Sequence, residues 1–391
     1  PVLPQAPGPK VPLLHQLDSV FWGLGIGENA YNWLMKIICI DARFWGIQHT
    51  GIGRYVENLI DNLPSDPHIK VVLIVHPDQA DEPKLARFAK YYASQHPYSP
   101  FAQLEMLWLI MRIRPDLLHV PHFTIPVLWP GKMVITIHDL IKHLSRGRET
   151  TTRNPLVYWL KYLGYLAVVW MAVHRASHII VPANYWKDEL INRYHLAPEK
   201  VTVTYEGVSE VFFQKPTTEY RPPTTQPFVV YTGNLYPHKN VPILIEAVTK
   251  LKLNLAIVCA RSVFADRLPQ SKYVHFLGRL TDQQLVGLYQ QAEAFVFPSL
   301  IEGFGLPGLE AMAAGLPVIA ARASCLPEIY EEAALYFDPS SPEDLAQKIK
   351  TVMKDKELRQ DLIAKGKHQV SKYSWVKMTK ATWQIYRAEL L

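Results

Sequence analysis

The chain has 391 residues, and at about 100–200 residues per domain that length implies two domains. Apolar types make up 49% and charged types 19%, the balance of a chain that buries large cores, which excludes wholesale disorder. Lys and Arg number 41 against 35 Asp and Glu, and the resulting +6 is too mild for a dedicated nucleic-acid binder, so no nucleic-acid partner is expected. Cys39, Cys259 and Cys325 lie far apart in no CxxC pair. They support neither a zinc site nor a disulfide framework and point to reduced thiols in a cytosolic protein.

The opening residues PVLPQAPGPKVP are Pro-rich and carry no period, so they read as a flexible tail. Phe21 to Trp33 is too short and interrupted to span a membrane, and no secretory signal is recognisable. Met35 is followed by the β-rich run Lys36-Ile-Ile-Cys-Ile-Asp41. The folded protein is therefore expected to start at Met35, with residues 1–34 as an upstream extension.

From there short β-branched runs alternate with longer helical stretches. Strands are expected at Ile37–Asp41, Val71–Val75, Leu117–Val120, Met133–Ile137, His178–Val181 and Val201–Thr204. Each is apolar on both faces, as in a parallel sheet covered on both sides. The Pro/Thr-rich stretch Lys215–Pro227 breaks the rhythm and reads as a linker. The alternation restarts at Phe228–Tyr231, Leu255–Val258, Tyr273–Phe276, Ala294–Phe297, Pro317–Ala320 and Ala334–Phe337. The fold class expected is α/β, with two Rossmann-like parallel-sheet domains facing each other across a cleft. The first covers residues 35–210, a linker 211–227 and the second 228–372. Residues 373–391 hold a last helix, roughly Trp375–Leu390, that folds back to brace the first domain.

The segment richest in chemistry is Phe297-Pro-Ser-Leu-Ile-Glu302-Gly-Phe304-Gly305-Leu306-Pro307-Gly-Leu-Glu310-Ala-Met-Ala-Ala-Gly315. It leaves a strand, turns through Gly303 and Gly305, and enters a helix with Pro307 near its first position, where proline wastes no donor. Gly315 is placed to close that helix in a left-handed conformation. The free N–H groups around Gly305 to Gly308 then suit an anion or a polyhydroxylated ligand. Glu302 and Glu310, eight positions apart, are acceptor-only groups matched to sugar hydroxyls. The bland alternative, that both only stabilise a helix N-terminus, leaves the dense glycine and proline pattern unexplained. In Tyr231-Thr-Gly233-Asn234-Leu-Tyr-Pro-His238-Lys239-Asn240, Lys239 stands at a strand's carboxyl end, where an ammonium neutralises a diphosphate leaving group. Thr50-Gly51-Ile52-Gly53-Arg54 joins the first strand to a helix; alone, its two glycines are a weak signal. His138 ends the fourth predicted strand and places an imidazole at the cleft, although a histidine there is more often structural. His119 and His122 have no metal-site spacing.

Together these segments resemble the family-4 retaining glycosyltransferases of GT-B architecture, over about residues 36–390. The resemblance rests on Glu302-x7-Glu310 with its Gly-Phe-Gly-Leu-Pro core, on Thr50-Gly-Ile-Gly53, Ile137-His138-Asp139 and Gly233–Asn240, and on the closing Ser374-Trp375 helix. It implies that Glu310 binds the nucleotide ribose and that Glu302 and His138 lie beside the reacting sugar. It further implies that Phe304, Gly305 and Leu306 present N–H groups to the donor and that Lys239 contacts its phosphates. Gly51, Gly53 and Asn234 complete the expected donor site, on the side facing the acceptor domain and on the phosphate side. Many relatives carry Arg where Asn234 stands, so one neutralising charge is missing, and His238 or Arg279 are the candidates to replace it. No cofactor is implied beyond the nucleotide diphosphate sugar, with GDP-mannose slightly favoured. The acceptor implied is a glycan or a lipid-linked molecule in surface polysaccharide or glycolipid synthesis. Transfer is expected to retain anomeric configuration and, since no Asp-x-Asp pair occurs, to need no metal. The rivals are a nucleotide-sugar-binding protein without turnover and a GT-B sugar-nucleotide epimerase; a nicotinamide dehydrogenase is the weakest reading.

Leu156 to Val173 (LVYWLKYLGYLAVVWMAV) approaches transmembrane length but lies between two strands of one sheet. A buried crossover helix is expected there, and the competing reading is a surface that dips into a bilayer. Lys142, Arg146, Arg148 and Arg153 precede it with only Glu149 opposing, which suits an anionic membrane surface as partner. The apolar stretch Phe101–Ile113 is expected in the core. The location expected is cytoplasmic, with peripheral contact on the inner face of the membrane as its extension.

Overall fold

The computed structural model describes residues 35–46, 50–97, 99–147, 151, 154–216, 220–222, 224–259 and 264–391. The upstream segment 1–34, and Arg148, Glu149 and Arg153, lie outside the described residues. The first half builds one parallel sheet from β1 (Lys36–Asp41), β2 (Ile69–Val75), β3 (Ala89–Tyr92), β4 (Leu117–Val120), β5 (Met133–Thr136), β6 (His178–Val181) and β7 (Val201–Val203), ordered β3-β2-β1-β4-β5-β6-β7. The second builds another from β8 (Phe228–Thr232), β9 (Asn254–Val258), β10 (Val274–Gly278), β11 (Ala294–Phe297), β12 (Val318–Ala321) and β13 (Ala334–Phe337), ordered β10-β9-β8-β11-β12-β13. Strands such as β4 and β11 are buried at every position, which is why their residues are apolar on both faces. This is the GT-B arrangement of two Rossmann-like sheets.

The helices are α1 (Thr50–Asp61), α2 (Pro100–Ile113), α3 (Ile141–Leu144), α4 (Pro155–Arg175), α5 (Asn184–Tyr194), α6 (Val241–Leu251), α7 (Asp282–Tyr289), α8 (Leu306–Ala313), α9 (Leu326–Tyr330), α10 (Pro342–Lys354), α11 (Lys356–Val370) and α12 (Trp375–Leu390). In each sheet the chain first moves outward on one side and then resumes on the other, so the order reverses between β1 and β4 and between β8 and β11. Open α/β sheets leave a crevice at the carboxyl ends of such strands. Right-handed crossovers put α1 on one face of the first sheet and α2, α4 and α5 on the other.

Three observations depart from the sequence reading. Ala89–Tyr92 is an edge strand, although its Ala-Lys-Tyr-Tyr has no apolar run; it needs only β2 as partner. Around the expected linker, Glu210–Phe213 forms a 3₁₀ turn whose buried Phe212 faces Tyr289 of the second half at 6.4 Å. The third concerns the two apolar stretches. α4 is the crossover between β5 and β6, but only Tyr162, Val169, Ala172 and Val173 are buried. In α2 the residues Ala102, Met106, Leu109, Ile110 and Ile113 face the core, while Phe101, Leu104, Trp108 and Met111 face outward. The expected burial of both stretches is therefore only half right, because one sheet covers one side of a helix.

α12 crosses back from the second half onto the first sheet, packing against α1, β4 and β6. Its buried Tyr386 hydroxyl shares a hydrogen bond with Nδ1 of His119 on β4, whose Nε2 pairs with Thr136 Oγ1 at 2.9 Å. Burial, with His138 nearby, pushes the His119 pKa down to about 3. The folded protein then keeps this imidazole neutral while the unfolded chain protonates it below about pH 6.5. Stability is expected to decrease as the pH is lowered from about 6.5 to about 3, by up to about 1.4 kcal/mol per pH unit from this group. His119→Gln should flatten that acid limb, measured as urea unfolding from about pH 7 to about pH 4; an unchanged slope would contradict the assignment.

Candidate functional site

The strongest cluster forms where β8 and β11 run side by side, since the loops leaving their carboxyl ends must meet. The loop after β8 ends in the 3₁₀ turn Pro237–Lys239, and Asn240 takes a left-handed conformation at φ 52°. That turn aims buried Lys239 at the loop after β11, where its Nζ lies 2.7 Å from Glu302 Oε1. Glu302 is fixed through its backbone: its N–H donates to Ser324 Oγ at 3.1 Å, and its carbonyl accepts from Cys325 Sγ at 3.2 Å. Gly305, at φ 98°, then begins α8, and the Tyr330 hydroxyl donates to its carbonyl at 2.6 Å. A Cβ on Gly308 would sit 2.2 Å from that hydroxyl, so the first turn of α8 admits no side chain there. The buried N–H groups of Phe304, Gly305 and Leu306 meet no acceptor among the described residues. Such donors suit an anion or a hydroxyl.

The first half closes on this loop. The indole N–H of Trp186, on α5, donates to the carbonyls of Glu302 at 3.1 Å and Gly303 at 2.7 Å. A Cβ on Gly303 would lie 3.0 Å from the carbonyl oxygen of His138, so His138 and Glu302 belong to one site. The His138 ring follows β5, with Nε2 3.2 Å from the Pro121 carbonyl and Nδ1 3.4 Å from Glu206 Oε1. It packs edge-on to Tyr55 at 4.7 Å. Gly51 and Gly53 fall on the first turn of α1, directly before Arg54, which crosses the cleft. Arg54 pairs with buried Glu310 on α8 and, through Nη2 at 2.5 Å, with Asp282. Asn234 stands apart: it is exposed, and its Oδ1 accepts from the N–H of Tyr236 within its own loop at 3.3 Å. Among the described residues no group of three His, Cys, Asp or Glu side chains is placed to hold a metal ion.

Residues 49–211 match the family described as Glycosyltransferase Family 4, and residues 214–369 match Glycosyl transferases group 1. The two matches together cover both sheets except β1. This chain belongs to the family-4 glycosyltransferases. It is 24% identical to the O-antigen chain mannosyltransferase B of Escherichia coli, over 86% of this chain and 96% of that protein. It is 29% identical to the O-antigen chain mannosyltransferase RfbU of Salmonella typhimurium, over 69% of this chain and 74% of that one. The Anabaena protein HepE, solved in complex with UDP and glucose, superposes with a TM-score of 0.66 at 18% identity, covering 90% of this chain and 99% of that one.

In this glycosyltransferase the missing charge at Asn234 has no substitute in His238. Burial and the adjacent Lys239 push its pKa down to about 3, so it is neutral near pH 7. Arg279 is exposed. The cation that does reach across is Arg54, which a reading along the chain passes over: it ends the Gly-x-Gly-Arg stretch, but its partners lie in the other half. Trp186 was missed for the same reason, and Glu206, whose partner His138 lies in its own half, because it belongs to no spaced motif. The buried Glu310 carboxyl is pushed up by its burial against the pull of Arg54, while Glu310 in turn holds the guanidinium charged. Arg54→Met would leave Glu310 buried without its partner and is expected to destabilise by about 2–4 kcal/mol in urea unfolding. Arg54→Met combined with Glu310→Leu should recover a large part of that loss. Additive losses in the double variant would show that the two side chains do not interact.

Proposed function

We propose that the chain transfers a hexose from a nucleotide diphosphate sugar to a glycan or lipid-linked acceptor, with retention at the anomeric carbon and without a bound metal, in surface polysaccharide or glycolipid synthesis. GDP-mannose is the donor favoured, because both O-antigen relatives are named mannosyltransferases. The observation that supports the reading best is the buried Lys239–Glu302 pair, 2.7 Å across, beside the row of N–H groups at Phe304, Gly305 and Leu306. An ammonium carries three donors, so Lys239 keeps two for a diphosphate after bonding Glu302. As the bond from sugar to phosphate breaks, negative charge grows on the phosphate, and these fixed donors stabilise it without reorganising. The leaving phosphate oxygen takes the proton of the acceptor hydroxyl on the same face, which preserves configuration.

Glu302 holds Lys239 in place and faces the sugar, and His138, steadied by Glu206 and the Pro121 carbonyl, lies beside the reacting carbon. Arg54 engages Oε1 of Glu310, leaving Oε2 as the acceptor for a ribose hydroxyl. Lys239→Ala and Glu302→Gln are each expected to lower turnover at least about tenfold, which is roughly 1.4 kcal/mol in the barrier. Near-normal rates in folded variants would remove these residues from the site. A thermal-shift panel of GDP, UDP, ADP and dTDP should give one selective stabilisation, up to about 2.7 kcal/mol at a hundredfold excess over Kd. Activity should survive EDTA; activity abolished by EDTA and restored by manganese would sink the metal-independent reading. Product formed without any acceptor would mark an epimerase instead.

A further inference from the structure

The helices α2 and α4, on one face of the first sheet, each turn an apolar stripe away from the protein. On α2 the stripe is Phe101, Leu104, Trp108 and Met111, with Phe101 70% and Leu104 64% exposed. On α4 it is led by Leu156, Leu160 and Leu163, at 70%, 63% and 60% exposure, and continues to Trp170. The connection from β4 to β5 joins the two. The Gln103 side chain of α2 donates to the Ile125 carbonyl and accepts from the Val127 N–H, both at 3.0 Å. At the end of α4, Arg175 donates to the carbonyls of Val127 and Trp129. Leu128, between these anchors, is exposed as well. The result is one apolar surface built on three segments, larger than the isolated apolar side chains of an ordinary surface.

Its charge has one sign. α4 contains no acidic residue, and the only one on α2, Glu105, is bonded to Ser94 and to the Gln95 N–H. Arg112, Arg114 and Lys161 are exposed among or beside the apolar residues, and the Arg112 guanidinium lies over the Trp108 ring at 5.5 Å. A second copy of this chain would bring like charges together. An anionic bilayer complements both the cations and the apolar side chains, with Trp108, Trp159 and Trp170 suited to the headgroup boundary.

We infer that this face docks on an anionic phospholipid surface, with α2 and α4 lying in the plane of the interface. α4 does not cross the bilayer: it connects two neighbouring strands and buries its other side on the protein. Because α4 runs back from the carboxyl edge of the sheet, its Leu156–Leu163 end lies toward the cleft. A membrane-borne acceptor would thus meet the cleft near the surface. Docking itself rests on α2 and α4 alone and is independent of the proposed transfer.

The test is co-sedimentation of the full chain with vesicles of phosphatidylcholine alone or with about a third phosphatidylglycerol, at low and high salt. Binding is expected to the anionic vesicles, weakening with salt. Leu160→Glu with Leu163→Glu, and separately Leu104→Glu with Trp108→Glu, should each weaken it at least about tenfold. The thermal unfolding midpoint of each variant checks that it remains folded, and nucleotide thermal shifts report the donor site separately. A wild-type chain that ignores both vesicle types would overturn the proposal, as would folded variants that bind undiminished. So would a concentration-dependent dimer in light scattering that the same substitutions dissolve, since a second copy would then own the face.

Discussion

The Trp186 indole, donating to the backbone carbonyls of Glu302 and Gly303, fastens a loop of the second sheet to a helix of the first, and the geometry of the cleft depends on that clamp. Two sheets related only through a linker would have no fixed distance between their carboxyl edges. The clamp sets that distance at the residues that matter, because Gly303 then lies close against the His138 carbonyl, where a Cβ would make a tight 3.0 Å contact. A second contact supports the first. Glu328, ahead of β13, accepts from the N–H groups of Asn184 at 2.7 Å and Tyr185 at 2.9 Å, so a carboxylate from one half caps the helix in the other that carries Trp186. A negative charge at a helix N-terminus is favourable through both its hydrogen bonds and the helix dipole.

Charge is arranged across the cleft by the same logic. Each half brings something the other lacks: Arg54 comes from the first sheet, Glu310 and Asp282 from the second. Burying Glu310 without a cation would cost several kcal/mol, so its place in the core of α8 presupposes the approach of Arg54. Lys239 and Glu302 make the second buried pair within the same half, where adjacent strands guarantee their meeting. The site is therefore held by one pair that local topology ensures and one that requires both halves to close.

That difference explains what was legible in the sequence. The two parallel sheets were readable because doubly covered strands must be apolar on both faces, and runs such as Leu117–Val120 and Ala294–Phe297 fall where expected. The edge strand Ala89–Tyr92 was hidden because an edge position imposes no such pattern. Within the site, Gly305, Pro307 and Gly315 were readable because backbone geometry constrains their type, with Gly315 at φ 80°, Gly305 at φ 98° and Pro307 in the first helical turn, whereas Glu302 was read from its carboxylate chemistry. Arg54, Trp186, Glu206 and Glu328 were not, since each acts on a residue more than sixty positions away. Asn234, which the resemblance places in the donor site, is exposed and accepts a hydrogen bond within its own loop.

The long apolar helix shows a further limit of pattern. An amphipathic helix announces its outer face with charges, and its orientation can be read from spacing alone. α4 is apolar around nearly its whole circumference, so spacing could not say which side meets the sheet. Topology supplies the answer, because a crossover helix rests on one sheet and has only one side to bury there. Tyr162, Val169, Ala172 and Val173 take that side, and what remains is a row of leucine and tryptophan in contact with solvent. A soluble helix gains nothing from exposing such a row, and about 25 cal/mol of transfer free energy per Å2 of apolar surface stays unrealised until something covers it. The same outward face on α2, fixed to α4 through Gln103, the Ile125–Trp129 connection and Arg175, makes that unrealised burial a property of the surface rather than of one helix.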